Sequence, residues 1–567
     1  MSSMTNKPIP KEDIISRECR FVIPIDQGPT DLHLVKEKVY LKDDSTTKRV
    51  MLVEDYKRPY YVAKMNQRNY KQKKERAPLE NLEERTVTRR EQFFDLKRTL
   101  GMLWHKGHPN EVYGNPYVYG TDYEHSSYLK WQYQKKYDKF SPFDIAVFDI
   151  ETDTLHGSNK TIIATLSYKD KVVTAVVKDF VKGIYDVKAE LYKKFDFYLG
   201  DVKKQRKIEW ELVFVDTAGQ AIIEVFKRAH LWSPDIVAIW NINFDLPKIL
   251  EDLKDEDIDA GQVLSDPLVP IESRYIKYHE GPLYRKKEDG SLTPMKPAQR
   301  WHWVEVPASF YFIDAMQVYY QIRKSGQDEP SYALDAILDK ELGIRKLKFK
   351  EADHLKSNSI QWHNFLQKYF PLEYIIYNVF DCVSIEMLDE RTYDLSITMP
   401  LALKTSHFKI YSSEPRRTWD KLYGFLIDRG YAPGTSANVT MPLDQKQVNR
   451  LDWISTLPAH LMLLKESKWY LEKGKFYTKI RTHCADSDIS AAYPSNGVAL
   501  NISRETTSKE LLSIQGVPTL TRKIQGMNLS GGHANAVEFM HHLFNLPDLF
   551  ELDKLYQEHY LGKSNML

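Results

Sequence analysis

The chain has 567 residues, too many for a single hydrophobic core, and 42 % apolar content with 24 Phe, 35 Tyr and 11 Trp excludes a disordered protein. Its 80 Lys and Arg nearly balance 78 Asp and Glu, so any nucleic-acid binding has to come from local basic patches. Cys19, Cys382 and Cys484 have neither metal-ligand spacing nor disulfide arithmetic, and no apolar run approaches a membrane span or a signal-peptide core, so a soluble intracellular protein is expected.

Residues 1–140 read as an N-terminal domain of mixed strands and helices. "RVMLVED" (49–55) is strand-like, and the charged stretch "KQKKERAPLENLEERTVTRREQ" (71–92) reads as a solvated helix face. The character changes at "FDIAVFDIETDT" (143–154), an apolar run suited to a buried strand that breaks into acidic residues. "IVAIWNINFDLPKIL" (236–250) repeats that design, placing Asp245 after a polar turn and before a proline. With "KTIIATLSY" (160–168) and "AGQAIIEVFKRAHL" (218–231) between them, strands alternate with helices, which predicts an α/β sheet domain with acids at strand ends. "PSYALDAILDKELG" (330–343) and "PLEYIIYNVFDCVSIEMLDERTYDL" (371–395) are helical by spacing. Within the looser region 400–475, "YAPGTSANVTMP" (431–442) reads as a turn or linker.

Two acidic residues spaced as in Asp149-Ile150-Glu151 occur about ten times by chance in such a chain, so the context carries the signal. Residues two apart in a strand point to the same side, so both carboxylates aim at one place. Bringing Asp245 and Asp381 there gives four carboxylates that repel one another unless hard divalent cations such as magnesium neutralise them. Two such ions about 3.5–4 Å apart activate a water and stabilise the leaving oxygen in phosphodiester hydrolysis. Tyr377 precedes Asp381 by one helical turn, on the same face, where its phenol can hold that water.

"AVFDIET", "WNINFDLP" and "YNVFDC" resemble, in order and separation, the three exonuclease motifs of family B DNA polymerases, and "PSYALDAILDKELGIRKLKF" is similar to the T-even-phage branch. The resemblance implies a ribonuclease-H-like 3′–5′ exonuclease domain over 141–395, with Asp149, Glu151, Asp245 and Asp381 as ligands of two Mg2+ (Mn2+ as a substitute) and Tyr377 orienting the water. The second motif departs from the family pattern: two residues, not three, separate Asn241 from Phe244-Asp245. Asp245 keeps its place, and Asn241 or Asn243 is a candidate contact to the substrate strand.

"DSDISAAYPSNGVALNISRET" (486–506) resembles the first palm motif of the same family. By that match Asp488 binds the polymerase metal ions, backbone amides near Ala491 and Ala492 cradle an incoming dNTP, and Tyr493 lies beneath its deoxyribose. Reading Asp486-Ser487-Asp488 as the third palm motif fits worse, because the Tyr-Pro-Ser and "NISRET" that follow belong to the first. Two-metal phosphoryl transfer needs a second strong carboxylate, which the resemblance implies would come from the third palm motif, along with a fingers Lys that grips the triphosphate; neither is found in the sequence.

The expectation is therefore an α/β multidomain chain: an N-terminal domain (1–140), the exonuclease domain (141–395), a connecting segment returning to the N-terminal domain (396–475) and a partial palm with partner-docking helices (476–567). It would be the N-terminal, proofreading subunit of a split family B DNA polymerase. A second chain would complete the polymerase site, sharing its two Mg2+, and carry any sliding-clamp contact; the compartment would be the host cytoplasm if the gene is a phage's. The alternatives are a free-standing 3′–5′ exonuclease or a noncatalytic DNA-binding replication scaffold. Candidate DNA contacts are "KKQRK" (203–207) and "YRKKEDGSL" (284–292), the latter a hairpin signal carrying Arg285, Lys286 and Lys287. His533, His541 and His542 read as surface residues, since adjacent histidines face different sides of a helix.

Overall fold

The computed structural model describes residues 10–435 except 72–73, 75, 103–108, 138, 287–289 and 325–328, and beyond 435 it describes strand segments between 471 and 530. The chain forms two units, 1–439 and 440–567, and is a mixed α/β protein with several sheets and 13 α-helices among the described residues.

Ile14–Ile25 (β1), Leu32–Leu41 (β2) and Thr46–Glu54 (β3) form an antiparallel meander. Arg58–Ala63 (β4), Arg76–Pro78 (β5) and Leu82–Val87 (β6) follow, then the helices Gln92–Thr99 (α1) and Pro109–Gly114 (α2), strand Val118–Tyr119 (β7) and helix His125–Tyr137 (α3). β4 lies between β6 and β7. The charged stretch 71–92 is thus not a helix face. Its described residues include the strands β5 and β6, and β6 is an edge strand that buries Leu82 and Val87 and turns Glu83 and Glu84 to solvent, as edge strands do.

The next region is built on a six-stranded sheet. Its elements are Ile145–Thr152 (β8), Thr161–Tyr168 (β9), Lys171–Val177 (β10), Val187–Arg206 (α4), Glu209–Val215 (β11), Ala218–Trp232 (α5), Ile236–Ile239 (β12) and Ile242–Asp255 (α6). After Ala260–Leu264 (α7) come short strands Lys277–His279 (β13), Tyr284–Lys286 (β14), Leu292–Pro294 (β15) and Trp303–Glu305 (β16), then Tyr311–Asp314 (β17). Helices Ala315–Arg323 (α8), Leu334–Leu342 (α9), Ile360–Tyr369 (α10) and Pro371–Thr392 (α11) complete it. The sheet order is β11-β10-β9-β8-β12-β17, with β9 antiparallel to both β8 and β10 and the other pairs parallel.

Alternation along β8 decides which side the acids take. Ala146, Phe148 and Ile150 pack with α5 and α6 on one face, in a core with Ile222, Phe226 and Leu246. Ile145 and Val147 point to the other face, and Asp149 and Glu151 share their parity. That face is covered by α11, whose Ile375, Ile376 and Val379 pack with Ile163 of β9 and Leu191 and Phe195 of α4.

The meander β1–β3 is fastened to this sheet by buried charges. Arg20 donates to Asp235 from Nε (3.0 Å) and Nη2 (2.7 Å), and Lys36 Nζ lies 3.0 Å from Asp235 Oδ1. Burial alone would raise the Asp235 pKa, but Lys36 and Arg20 hold it well below the usual carboxylate range. After Met399–Leu403 (α12) and Glu414–Ile427 (α13), the short strand Tyr431–Pro433 (β18) pairs antiparallel with β5, and Tyr423 stacks on Tyr123 with 4.0 Å between ring centroids. The start of the expected linker 431–442 is therefore a strand, held by backbone pairing that its Pro and Gly content conceals.

In the second unit, Leu471–Glu472 (β19) pairs with Lys475–Phe476 (β20), and Thr507–Ile514 (β21), Val517–Ile524 (β22) and Met527–Ser530 (β23) form an antiparallel meander. The partner-docking helices expected after the Gly turn at 531–532 lie outside the described residues. Asp488, Ala491, Ala492 and Tyr493, with His533, His541 and His542, lie outside the described residues. Among the described residues, no helix is long and apolar enough to cross a membrane.

Candidate metal centre

The C-terminal end of β8 is open on one side. β12 pairs with β8 only as far as Val147, so the backbone beyond it needs other partners. Asp245, in the first turns of α6, supplies one: its Oδ1 accepts from Ile150 N–H at 3.3 Å. Asp314, at the end of β17, caps α8 by accepting from Gln317 N–H (2.8 Å) and also takes Ile242 N–H (3.1 Å), fixing the turn that launches α6. Burial raises the Asp314 pKa to about 8.

Across the end of β8, Asp149, Glu151 and Asp381 each place a carboxylate oxygen within 4.8 Å of the others. Asp245 is not a member of that group of three, but its charge is felt at Asp149. Burial, then the neighbouring carboxylates, push the Asp149 pKa well above the usual range; burial lifts Glu151 to about 8 and Asp245 to about 7, and raises Asp381. A buried cluster of this kind is stable only when protonated or when cations are supplied.

One cation is built in. Lys346, in the loop after α9, brings Nζ to 2.5 Å from Asp381 Oδ2 and 2.9 Å from Tyr377 Oη. Burial works against its ammonium, yet Asp381, Asp149 and Glu151 keep its pKa above the ordinary lysine range. Tyr377 is buried, and its hydroxyl donates to Asn358 Oδ1 at 3.0 Å.

The oxygens divide in a regular way. Asp149 Oδ2 accepts from Asn378 Nδ2 at 2.7 Å, Glu151 Oε2 accepts from the Tyr374 hydroxyl, and Asp381 Oδ2 accepts from Lys346. Each acid thus has one oxygen held by a protein donor. Asp381 Oδ1 is buried and accepts no hydrogen bond among the described residues. Buried acceptors are seldom left so, and an all-carboxylate donor set suits a hard divalent cation. The residues present therefore fit such an ion.

Asn241 and Asn243 lie where α6 begins, on the element that carries Asp245. Asn241 is exposed at the start of α6 and makes no capping bond. Asn243 Oδ1 accepts from Tyr278 Oη at 2.7 Å, tying the α6 turn to β13. Phe244 stands 52 % exposed beside Asp245. Arg285 and Lys286 are exposed on β14, which pairs antiparallel with β15 as a hairpin; Lys287 lies outside the described residues. In "KKQRK", Lys203 pairs with Asp196, and Arg206 with Glu386 and Glu390, so half of the expected patch is spent on intramolecular pairs.

Sequence reasoning missed Lys346, Asn378, Tyr374 and Asp314. For two of these a signal existed: Asn378 and Tyr374 precede Asp381 by three and seven residues, the spacing that returns to one helix face. Lys346 sits in a loop with no periodicity to expose it. In comparisons with known proteins, no protein-family model and no curated protein matched the chain.

Proposed function

We propose that this chain is a 3′–5′ exonuclease acting on DNA, with a ribonuclease-H-like domain of the kind found in family B DNA polymerases. The observation that carries the reading is the oxygen division at Asp149, Glu151 and Asp381: one oxygen of each fastened by the protein, and the acids gathered within 4.8 Å. Asp149, Glu151, Asp381 and the adjoining Asp245 would hold two divalent cations. Such ions, magnesium or manganese, supply a water of lowered pKa and charge to stabilise the leaving 3′ oxygen.

The chain's own groups do the rest. Tyr377 and Lys346, bonded to each other beside Asp381, present a hydroxyl and an ammonium where a water and a phosphate oxygen need orientation. Their mutual bond fixes both before substrate arrives. Phe244, exposed next to Asp245, offers a face on which a terminal base can stack, and Arg285 and Lys286 on the hairpin suit backbone phosphates. The sheet order supports the fold reading, since the acids gather where β8 meets an antiparallel neighbour on one side and a parallel one on the other.

Attachment of this activity to a DNA polymerase, as a proofreading function, rests on the likeness of 488–495 to the first palm motif. The test of the nuclease is direct. A 5′-labelled single strand incubated with the full chain and Mg2+ should yield a ladder shortened from the 3′ end, and EDTA should stop it. A strand that stays intact under both conditions would overturn the reading.

A further inference from the structure

This inference rests on the exonuclease reading and concerns how Glu151 is held. Tyr374 is fully buried on α11, two turns before Asp381, and its hydroxyl meets three groups. It donates to Glu151 Oε2, while His363 Nδ1 lies 2.7 Å and Gln367 Nε2 3.3 Å from its oxygen. The polarity of this network is dictated by Gln367. Backbone amides of Thr154 and Leu155, both at 3.1 Å, can only donate, so they fix Gln367 Oε1 toward themselves. That turns Nε2 toward Thr152 O, at 2.8 Å, and toward Tyr374. Tyr374 therefore receives a hydrogen from Gln367; with Glu151 ionised, as a bound cation requires, Tyr374 sends its own hydrogen there, which leaves His363 to present Nδ1–H.

We propose that His363, Tyr374 and Gln367 form a positioning brace that locks Glu151 with Oε2 engaged and Oε1 turned to the cation site, so that Glu151 is a one-oxygen ligand set before any ion binds. Gln367 adds a second function. By holding Thr152 O and the amides of Thr154 and Leu155, it fixes the chain that leaves β8 directly after Glu151. Tyr374 also packs by its ring, lying parallel to Tyr377 at 6.2 Å and edge-on to Phe180 at 6.3 Å. A Phe in its place keeps that packing and removes the hydroxyl alone.

The experiment measures Mn2+ binding to the metal-free full chain by calorimetry, with urea denaturation in EDTA alongside. Tyr374→Phe should weaken Mn2+ binding roughly 10–100-fold, the range for loss of an outer-shell partner, while denaturation in EDTA stays a single cooperative transition whose midpoint falls because Glu151 and His363 lose a buried partner. His363→Ala should weaken it too, and His363→Asn, whose amide nitrogen replaces Nδ1, should restore it. Mn2+ binding by Tyr374→Phe as tight as wild type would overturn the brace and leave the nuclease reading standing. So would a His363→Asn variant as weak as His363→Ala. A wild-type chain that binds no Mn2+ and digests no DNA would overturn both.

Discussion

Lys346 Nζ lies 2.5 Å from Asp381 Oδ2, so the acidic cluster at the end of β8 carries its own counter-charge. Replacing it by Met leaves the carboxylates without that cation and Tyr377 without its donor. Lys346→Met should lower metal-free stability by about 1–3 kcal/mol, the usual cost of unpairing a buried group. Added Mg2+ should recover more stability in the variant than in wild type, because the ion then supplies the missing charge. Strand shortening should slow roughly 100-fold, as when one preorganised donor is removed from an active site. Thermal denaturation with and without Mg2+ checks the first part, and the 3′-end assay the second.

Asp314 touches no other acid of the site, yet it holds the amide of Ile242, three residues before Asp245. Asp314→Ala removes the α8 cap and that anchor together, and should cost about 1–3 kcal/mol in urea denaturation. Digestion should also slow by more than the loss of folded protein explains, because Asp245 is no longer held. A rate per folded molecule equal to wild type would show that the turn needs no anchor.

Arg20 and Lys36 both serve Asp235, and all three are buried. Arg20→Met strands part of that charge inside, so a loss of about 3–5 kcal/mol is expected. The same change at exposed Arg429 should leave the denaturation midpoint almost unmoved. A small effect at Arg20 would mean that the β1–β3 meander does not depend on this cluster for its attachment.

His125 is buried, and burial, with Arg58 nearby, pulls its pKa to about 3. An unfolded histidine titrates near 6.5, so between those values the unfolded chain binds a proton that the folded chain refuses. Its contribution to stability is complete above pH 6.5 and is lost as pH falls. By pH 5 the wild type should lose roughly 2 kcal/mol relative to His125→Gln, which does not titrate. Urea denaturation of the pair at pH 7.5 and pH 5 reads this difference; parallel pH profiles would contradict it.

The parts of the chain legible in sequence were those with one dominant physical signal. β8 and β12 are short apolar runs that become polar where they leave the sheet, and α11 carries apolar residues at helical spacing. Strand alternation puts Asp149 and Glu151 on one side of β8 and helical spacing puts Tyr377 beside Asp381, whereas the choice of these acids and Asp245 as one set comes from the likeness of their motifs to a known family. Lys346 could not be found in either way, since its place is set by a loop that only the tertiary fold brings to Asp381. His363 reaches Tyr374 across two helices, a relation no local pattern records. The stretch 71–92 was misleading because its charges, which suit an exposed helix, serve an edge strand equally well. "KKQRK" reads as a free patch until Glu386 and Glu390 of α11 are seen beside Arg206.

The most direct test uses wild type and an Asp149→Ala, Glu151→Ala double variant purified in parallel. Each is given a 5′-labelled single-stranded DNA and Mg2+, and the length of the labelled strand is followed over time. Wild type should shorten it stepwise from the 3′ end, while the folded double variant should leave it at full length. Shortening by the double variant at the wild-type rate would show that these carboxylates do not perform the chemistry.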